Sequence, residues 1–158
     1  MGIGASAGGL EALQQFFKSA LPDAGLAFVV VQHLDPAGHS QMPEILPRFT
    51  KMPVIVAAGG MPVETNHVYL NPPNRNIGIE RGRIFLREPP QTPGARLPVD
   101  FFFRSLAEEK GPDAIGIILS GLGTDGTLGL RAIKAEGGTV LVQDPTSARY
   151  DGMPPQRH

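Results

Sequence analysis

Cysteine is absent from the 158-residue sequence, which excludes disulfide bonds, thiolate catalysis and cysteine-ligated zinc. A covalent nucleophile would therefore have to be Ser, Thr, Lys, Asp, Glu, His or Tyr. Neither sign of charge dominates, since 14 Lys and Arg stand against 15 Asp and Glu, so we expect no nucleic acid or anionic membrane partner. No apolar run reaches the roughly 20 residues that a membrane-spanning helix needs, so we expect no direct membrane insertion.

A secretion signal is also missing from the sequence. The opening residues, Met1-Gly2-Ile3, do not have the basic-then-apolar order of such a signal. The lack of cysteine fits a reducing compartment. We therefore expect a cytoplasmic protein.

Short apolar segments alternate with amphipathic ones, and 20 Gly and 16 Pro separate them along the chain. The predicted strands are Met1–Ile3, Leu26–Val31, Pro53–Ala57, Val68–Leu70, Ala114–Leu119 and Thr139–Gln143. The predicted helices are Leu10–Ala20, Gln41–Lys51, Val99–Lys110 and Thr127–Glu136. Arg81-Gly82, between Ile77–Glu80 and Arg83–Arg87, is typical of a hairpin turn. This order predicts an α/β fold: a doubly wound, mostly parallel sheet flanked by helices, with an antiparallel hairpin insertion.

Three polar residues follow three of the predicted strands. Ser6 follows the first strand, His33 the second and Asp125 the strand Ala114–Leu119. Because the carboxyl ends of parallel strands meet at one edge of a sheet, all three can lie together. A serine hydroxyl needs a base to become a nucleophile, and an imidazole oriented by a carboxylate can be that base. The pattern favours a serine hydrolase site.

The Gly-rich stretch around Ser6 has other interpretations. A serine before a helix is often only an N-cap, and Asp125 in a Gly-rich loop is often a turn or cap residue. The stretch Gly2–Gly9 also approaches the dinucleotide-binding fingerprint. No acidic residue closes the second strand at the expected distance, since Asp35 lies deep in a loop. A nucleotide-binding domain therefore remains an alternative.

The remaining histidines give no metal site. His39 lies near a predicted helix start, His67 precedes a strand and His158 is in the polar tail. No two histidines have the spacing of a zinc motif, and no set of carboxylates accompanies them. We expect neither a metal nor a cofactor.

Five motifs together resemble a known family, the catalytic domain of the CheB chemotaxis protein-glutamate methylesterases. In chain order they read GIGASAGGLEAL, VVVQHLDP, LPVDFFFRSLA, IILSGLGTDGTLGL and VQDPTSARYDGMP. The resemblance extends from Gly2 to Pro154 and keeps the family's motif order. The third and fourth motifs are most similar to domains fused to a CheR-type methyltransferase and sensory modules.

The resemblance implies a role for each site residue. Ser6 corresponds to the family's nucleophile, His33 to its base and Asp125 to the third member of the triad. Backbone N–H groups near Ala7 and Leu122 correspond to the oxyanion hole. Leu122 stands where the family usually has Met, and a backbone donor is indifferent to that change.

The implied activity is hydrolysis of glutamate γ-methyl esters on methyl-accepting chemoreceptors or similar signalling proteins, releasing methanol. Deamidation of specific glutamines is a further activity of such enzymes. A non-catalytic regulatory or interaction module within a larger sensor remains the alternative from a different class.

The sequence departs from the family pattern at two kinds of position. Ala7 replaces a usual threonine beside the nucleophile, so a hydroxyl contribution there is lost. The family's first strand normally starts earlier, and its domain continues beyond the final motif. We therefore expect residues 1–158 to form one methylesterase-type domain, trimmed at both ends from a longer protein.

Overall fold

The computed structural model describes residues 1–5, 9–33, 40–92, 96–119 and 124–143. Its strands are β1 (Gly2–Ala5), β2 (Phe28–Gln32), β3 (Val54–Val56), β4 (Val68–Leu70), β5 (Asn76–Glu80), β6 (Arg83–Arg87), β7 (Ile115–Ile118) and β8 (Thr139–Val142). Its helices are α1 (Gly9–Ser19), α2 (Met42–Ile45), α3 (Pro98–Lys110) and α4 (Thr127–Ala135). Short 3-10 turns follow α2 at Leu46–Arg48 and α3 at Gly111–Asp113.

Six strands form one sheet in the order β3-β4-β2-β1-β7-β8, and every neighbouring pair is parallel. The chain passes from β1 to one side of the sheet and later returns to the other side through β7. This arrangement confirms the predicted doubly wound α/β fold. In such sheets the crevice for a ligand lies beyond the carboxyl ends of the central strands, here β1 and its neighbours.

Hydrophobic layers cover both faces of the sheet. On one face, α1 and α2 contribute Leu13, Phe17 and Met42 to a core with the sheet residues Ile3 and Val30. On the other face, α3, α4 and the β5–β6 hairpin pack a core that includes Val29, Phe102, Phe103, Ile79 and Ile133. Alternate residues of β2 point to opposite faces, which explains why the continuous apolar run at this strand is buried on both sides.

The predicted hairpin forms a separate antiparallel sheet of β5 and β6. Its turn residues Arg81 and Gly82 both have positive φ, 52° and 74°. Positive φ at both central residues matches a tight turn whose twist suits the flanking strands. The prediction of a hairpin insertion is therefore confirmed.

The helix predicted over Gln41–Lys51 was wrong in length. The α-helix ends at Ile45, and a 3-10 turn continues only to Arg48. Pro47 has no N–H to donate to the carbonyl of Pro43, and its ring clashes with that carbonyl in an α-helix. The proline therefore divides the segment.

Two strands also extend further than predicted. β1 continues to Ala5 and β2 to Gln32, because these two residues pair with each other at the end of the β1–β2 ladder. Gln32 was predicted to lie in a loop. The structure instead makes His33 the first residue after the strand.

No helix within the described residues is long and apolar enough to cross a membrane.

Glycines in the central strand allow α3 to pack directly on the sheet. A Cβ at Gly4 would lie 2.5 Å from Cγ1 of the buried Val99 and 3.1 Å from Cδ1 of Ile118. We expect Gly4→Ala to lower the free energy of unfolding by about 1–3 kcal/mol through overpacking. Chemical denaturation measures this. Gly59→Ala is the matched control, since nothing lies within 4 Å of its Cβ position. Equal stability of the two variants would contradict the close packing.

Candidate functional site

The carboxyl edge of the sheet brings together two of the three residues predicted for catalysis. His33 directly follows β2, and Asp125 lies two residues before α4. Nε2 of His33 is 3.9 Å from Oδ2 of Asp125, although the two residues are far apart in sequence. Ser6, which follows β1 in the chain, lies outside the described residues, as do Ala7 and Leu122.

Asp125 is held by the N-terminus of α3. Its Oδ2 accepts a hydrogen bond from the N–H of Val99 at 3.0 Å, and its Oδ1 accepts one from Asp100 at 2.8 Å. The first N–H groups of a helix have no partner within the helix. α3 begins with Pro98, and Leu97 supplies no capping side chain, so Asp125 caps this helix from another part of the chain.

Asp100 caps α4 in return. Its Oδ1 accepts hydrogen bonds from the N–H groups of Gly126 at 3.0 Å and Gly129 at 2.7 Å. Both carboxylates are buried, with 4% of Asp100 and 3% of Asp125 exposed. Our sequence analysis missed Asp100. An acidic residue in the first turn after a proline was the available signal, since such residues mark helix starts.

Burial raises the pKa of Asp125 from 3.8 to about 6. The amide hydrogen bonds from Val99 and Asp100 lower this pKa, because they stabilise the charged form. The neighbouring Asp100 carboxylate raises the pKa, and His33 lowers it. The carboxyl group is therefore ionised at neutral pH but takes up a proton in mildly acidic solution.

The ring of His33 is oriented by a backbone carbonyl and lies near Asp125. Nε2 lies 2.8 Å from the carbonyl oxygen of Arg96, and 43% of the side chain is exposed. A carbonyl oxygen only accepts hydrogen bonds, so Nε2 must be the donor and carry the proton. In the neutral ring, Nδ1 is then the nitrogen able to accept a proton.

A buried asparagine fixes the backbone just before His33. Asn71, which follows β4, accepts a hydrogen bond from the N–H of Gln32 through Oδ1 at 2.9 Å. Its Nδ2 donates to the carbonyl oxygen of Gln32, also at 2.9 Å. Both polar groups of Gln32's backbone are thus held where β2 ends. Our sequence analysis missed this residue, because a single asparagine after a strand is also an ordinary turn residue.

The cleft beside His33 has a polar, cationic lining. It contains the amide side chains of Asn71, Asn74 and Asn76 and the residues Arg75 and Arg96. Arg96 donates through Nη1 to Oδ1 of Asn74 at 3.1 Å. Such groups are suited to hold carbonyl and carboxylate oxygens. A larger cavity of about 800 Å³ lies along α1, and neither His33 nor Asp125 lines it.

The other histidines do not join this site. His67 pairs locally: Nδ1 lies 2.8 Å from the carbonyl of Thr65, and Nε2 lies 3.4 Å from Oε2 of Glu64. His39 and His158 lie outside the described residues. Within the described ranges, no group of three or more His, Asp or Glu side chains is arranged to hold a metal ion.

Asp125 should titrate well above an ordinary aspartate. We expect its side-chain carboxyl ¹³C resonance to shift with a midpoint near pH 6, and Asp125→Asn to remove that signal. Because the folded-state pKa is raised, the group's contribution to the free energy of unfolding is complete below pH 3.8. That contribution is lost as the pH rises through about 6. A midpoint near 3.8 for Asp125 would contradict the effect of burial.

Comparisons with known proteins give one consistent family. A family model described as CheB methylesterase matches residues 1–157. The chain is 40% identical over 154 residues to protein-glutamate methylesterase/protein-glutamine glutaminase 3 of Burkholderia orbicola. That alignment covers 96% of this chain and 45% of the relative. An uncharacterised 104.1 kDa protein of Rhodobacter capsulatus is 42% identical over 113 residues, which cover 72% of this chain and 12% of that protein.

A solved structure has the same fold. The crystal structure of the Thermotoga maritima CheB methylesterase catalytic domain matches with a TM-score of 0.90 and 30% sequence identity. The match covers 99% of this chain and 85% of that one. By contrast, the chain spans less than half the length of the curated methylesterases that it matches.

Proposed function

Because the chain belongs to the CheB methylesterase family, we propose that it hydrolyses glutamate γ-methyl esters on a methyl-accepting chemoreceptor or a similar signalling protein. The products are the free glutamate side chain and methanol. The observation that carries the proposal is the buried Asp125 carboxylate beside His33 at the edge of the sheet where β1 ends.

Ser6 is the nucleophile in this proposal. Support comes from the register of the sheet, in which Ala5 of β1 pairs with Gln32 of β2. The next residues along these two strands are Ser6 and His33. In this proposal, Ser6, which follows Ala5 of the last pair in the sequence, is the group whose proton His33 removes through Nδ1.

The reaction proceeds by acyl transfer. The Ser6 hydroxyl oxygen attacks the ester carbonyl carbon while His33 takes the hydroxyl proton. Backbone N–H groups near Ala7 and Leu122 stabilise the resulting oxyanion. His33 then protonates the departing methoxide, and methanol leaves an acyl-enzyme. Water, deprotonated by His33, attacks this acyl group. His33 then returns the proton to the departing Ser6 oxygen, which releases the glutamate product and restores the free serine.

Asp125 orients His33 and stabilises its protonated ring during both steps. Its acid-base properties support this role, because a carboxyl group with a pKa of about 6 is largely ionised at neutral pH. A negative charge 3.9 Å from Nε2 favours the imidazolium that each attack produces. No metal or cofactor takes part in the proposed reaction.

The cleft beside His33 has a volume of about 30 Å³, so it can take only a small polar group of the substrate. Arg75 and Arg96 offer guanidinium donors at this cleft. These groups can bind the substrate backbone and the carboxylate that hydrolysis produces. Deamidation of glutamine is a second candidate activity. The related protein-glutamate methylesterases are also named protein-glutamine glutaminases, which favours it, and the same attack on a side-chain amide releases ammonia.

We further propose that the chain acts in the cytoplasm as part of a longer protein. The related proteins extend well beyond the matched region. The context we propose is a sensor protein with a fused methyltransferase, which the third and fourth sequence motifs support. The absence of cysteine is compatible with a reducing compartment.

Ser6→Ala tests the nucleophile. We expect the purified chain to release methanol from a methylated receptor, and the variant to lose activity by on the order of 10³-fold or more, as in other triads. Ser19→Ala, at the exposed C-terminal end of α1, is the matched control and should keep full activity. Normal activity in Ser6→Ala would refute the nucleophile. Receptor binding by the wild-type chain without methanol release would favour the regulatory module.

A further inference from the structure

We propose that Asp100 is a positioning residue for this hydrolysis: its buried carboxylate fixes the loop that carries Asp125 and so holds Asp125 against His33. The inference rests on the proposed function. Asp100 acts through Asp125, to which its N–H donates, and the inference follows from how α3 and α4 begin.

Asp125 is restrained from two directions. The N–H groups of Val99 and Asp100 hold its side chain, at 3.0 and 2.8 Å. Oδ1 of Asp100 holds its backbone, since it accepts a hydrogen bond at 3.0 Å from Gly126, the next residue in the chain. Asp100 therefore takes part in both restraints, one through its N–H and one through its carboxylate.

The close packing of α4 on α3 restricts movement of these hydrogen-bonded groups. A Cβ at Gly129 would lie 2.5 Å from Cβ of Phe103 and 3.2 Å from Cα of Asp100. Only glycine lets the two helix starts approach this closely, and the Gly129 N–H then reaches Oδ1 of Asp100 at 2.7 Å. A shift of Asp100 would consequently move the start of α4 together with Asp125.

As a helix cap at this position, an aspartate is less favourable in free energy than an uncharged residue. Both carboxylates are buried and close to each other, and like charges in such a place oppose ionisation. Asn or Ser can cap a helix without that repulsion. The capping does not require this charge, and the two hydrogen bonds to Oδ1 are the means by which Asp100 positions Asp125.

The hydrogen-bond pattern allows the effect of the hydrogen bonds of Asp100 to be measured separately from the effect of its charge. Both N–H groups bond to the same oxygen, Oδ1 of Asp100. Asp100→Asn can keep this oxygen and both hydrogen bonds while removing the charge. Asp100→Ala removes both hydrogen bonds. Asp113, exposed at the opposite end of α3, provides a control pair, Asp113→Asn and Asp113→Ala.

The experiment measures kcat and KM for methanol release from a methylated receptor by the wild-type chain and these variants. We expect Asp100→Ala to lower kcat by on the order of 10²-fold with KM nearly unchanged, because a misplaced orienting group slows chemistry rather than binding. Asp100→Asn should recover most of kcat, and the Asp113 variants should match wild type.

Ring ¹⁵N and carboxyl ¹³C spectra supply a readout that does not depend on activity. The His33 ring resonances should move in Asp100→Ala and stay near their wild-type positions in Asp100→Asn. In Asp100→Asn the titration midpoint of Asp125 should fall, since removal of a like charge favours the ionised carboxylate.

Several outcomes would overturn the inference. A folded Asp100→Ala with wild-type kcat and unchanged His33 resonances would remove the positioning role. If Asp100→Asn and Asp100→Ala lowered kcat equally, the two hydrogen bonds to Oδ1 of Asp100 would not be what positions Asp125. If Asp100→Ala does not fold, Asp100→Glu replaces it: the displaced carboxylate should lower kcat, and wild-type kcat would contradict us. Absence of methanol release by the wild-type chain would refute the proposed function alone, because the spectra still test the positioning.

Discussion

Two buried carboxylates that cap each other's helices are the interaction on which this site depends. Asp125 accepts the first free N–H groups of α3, and Asp100, in the first turn of α3, accepts those at the start of α4. Neither helix has a side-chain cap from its own N-cap residue. The helix dipoles stabilise the negative carboxylates, and the carboxylates accept hydrogen bonds from the N–H groups at the two helix starts. The same two carboxylates therefore cap the two helix starts and fix the position of Asp125 in the site.

The rest of the architecture brings His33 to this pair of helix starts. β1 lies between β2 and β7, so the carboxyl ends of these three strands lie at one edge of the sheet. Glycines in β1 let α3 lie close to the sheet, and Asn71 holds the backbone before His33. Burial of Asp125 opposes its ionisation, whereas the role proposed for it beside His33 requires the charged carboxylate. The hydrogen bonds from the α3 amides lower the pKa of Asp125 and so offset part of the effect of burial.

Much of the fold could be predicted from the sequence, because the spacing of apolar residues along the chain indicates which side chains are buried. The apolar runs at β2 and β7 and the turn at Arg81-Gly82 were sufficient for the α/β order and the hairpin. Proximity of His33 and Asp125 followed from parallel topology, and the family comparisons confirm the resemblance. The catalytic roles of Ser6, His33 and Asp125 and the oxyanion-hole roles of Ala7 and Leu122 stay predictions. The capping by Asp100 and the contacts of Asn71 and the Arg96 carbonyl could not be predicted in this way, since their partners lie 26 to 63 residues away in the sequence.

Native-state hydrogen exchange at four amides tests the mutual capping most directly. The N–H groups of Val99, Asp100, Gly126 and Gly129 should be strongly protected and should open together, because all depend on the same two carboxylates. Amides in the first turn of an uncapped helix exchange rapidly instead. Exchange of these four at the rate of the exposed Gly59 amide, or protection of one helix start without the other, would contradict the account.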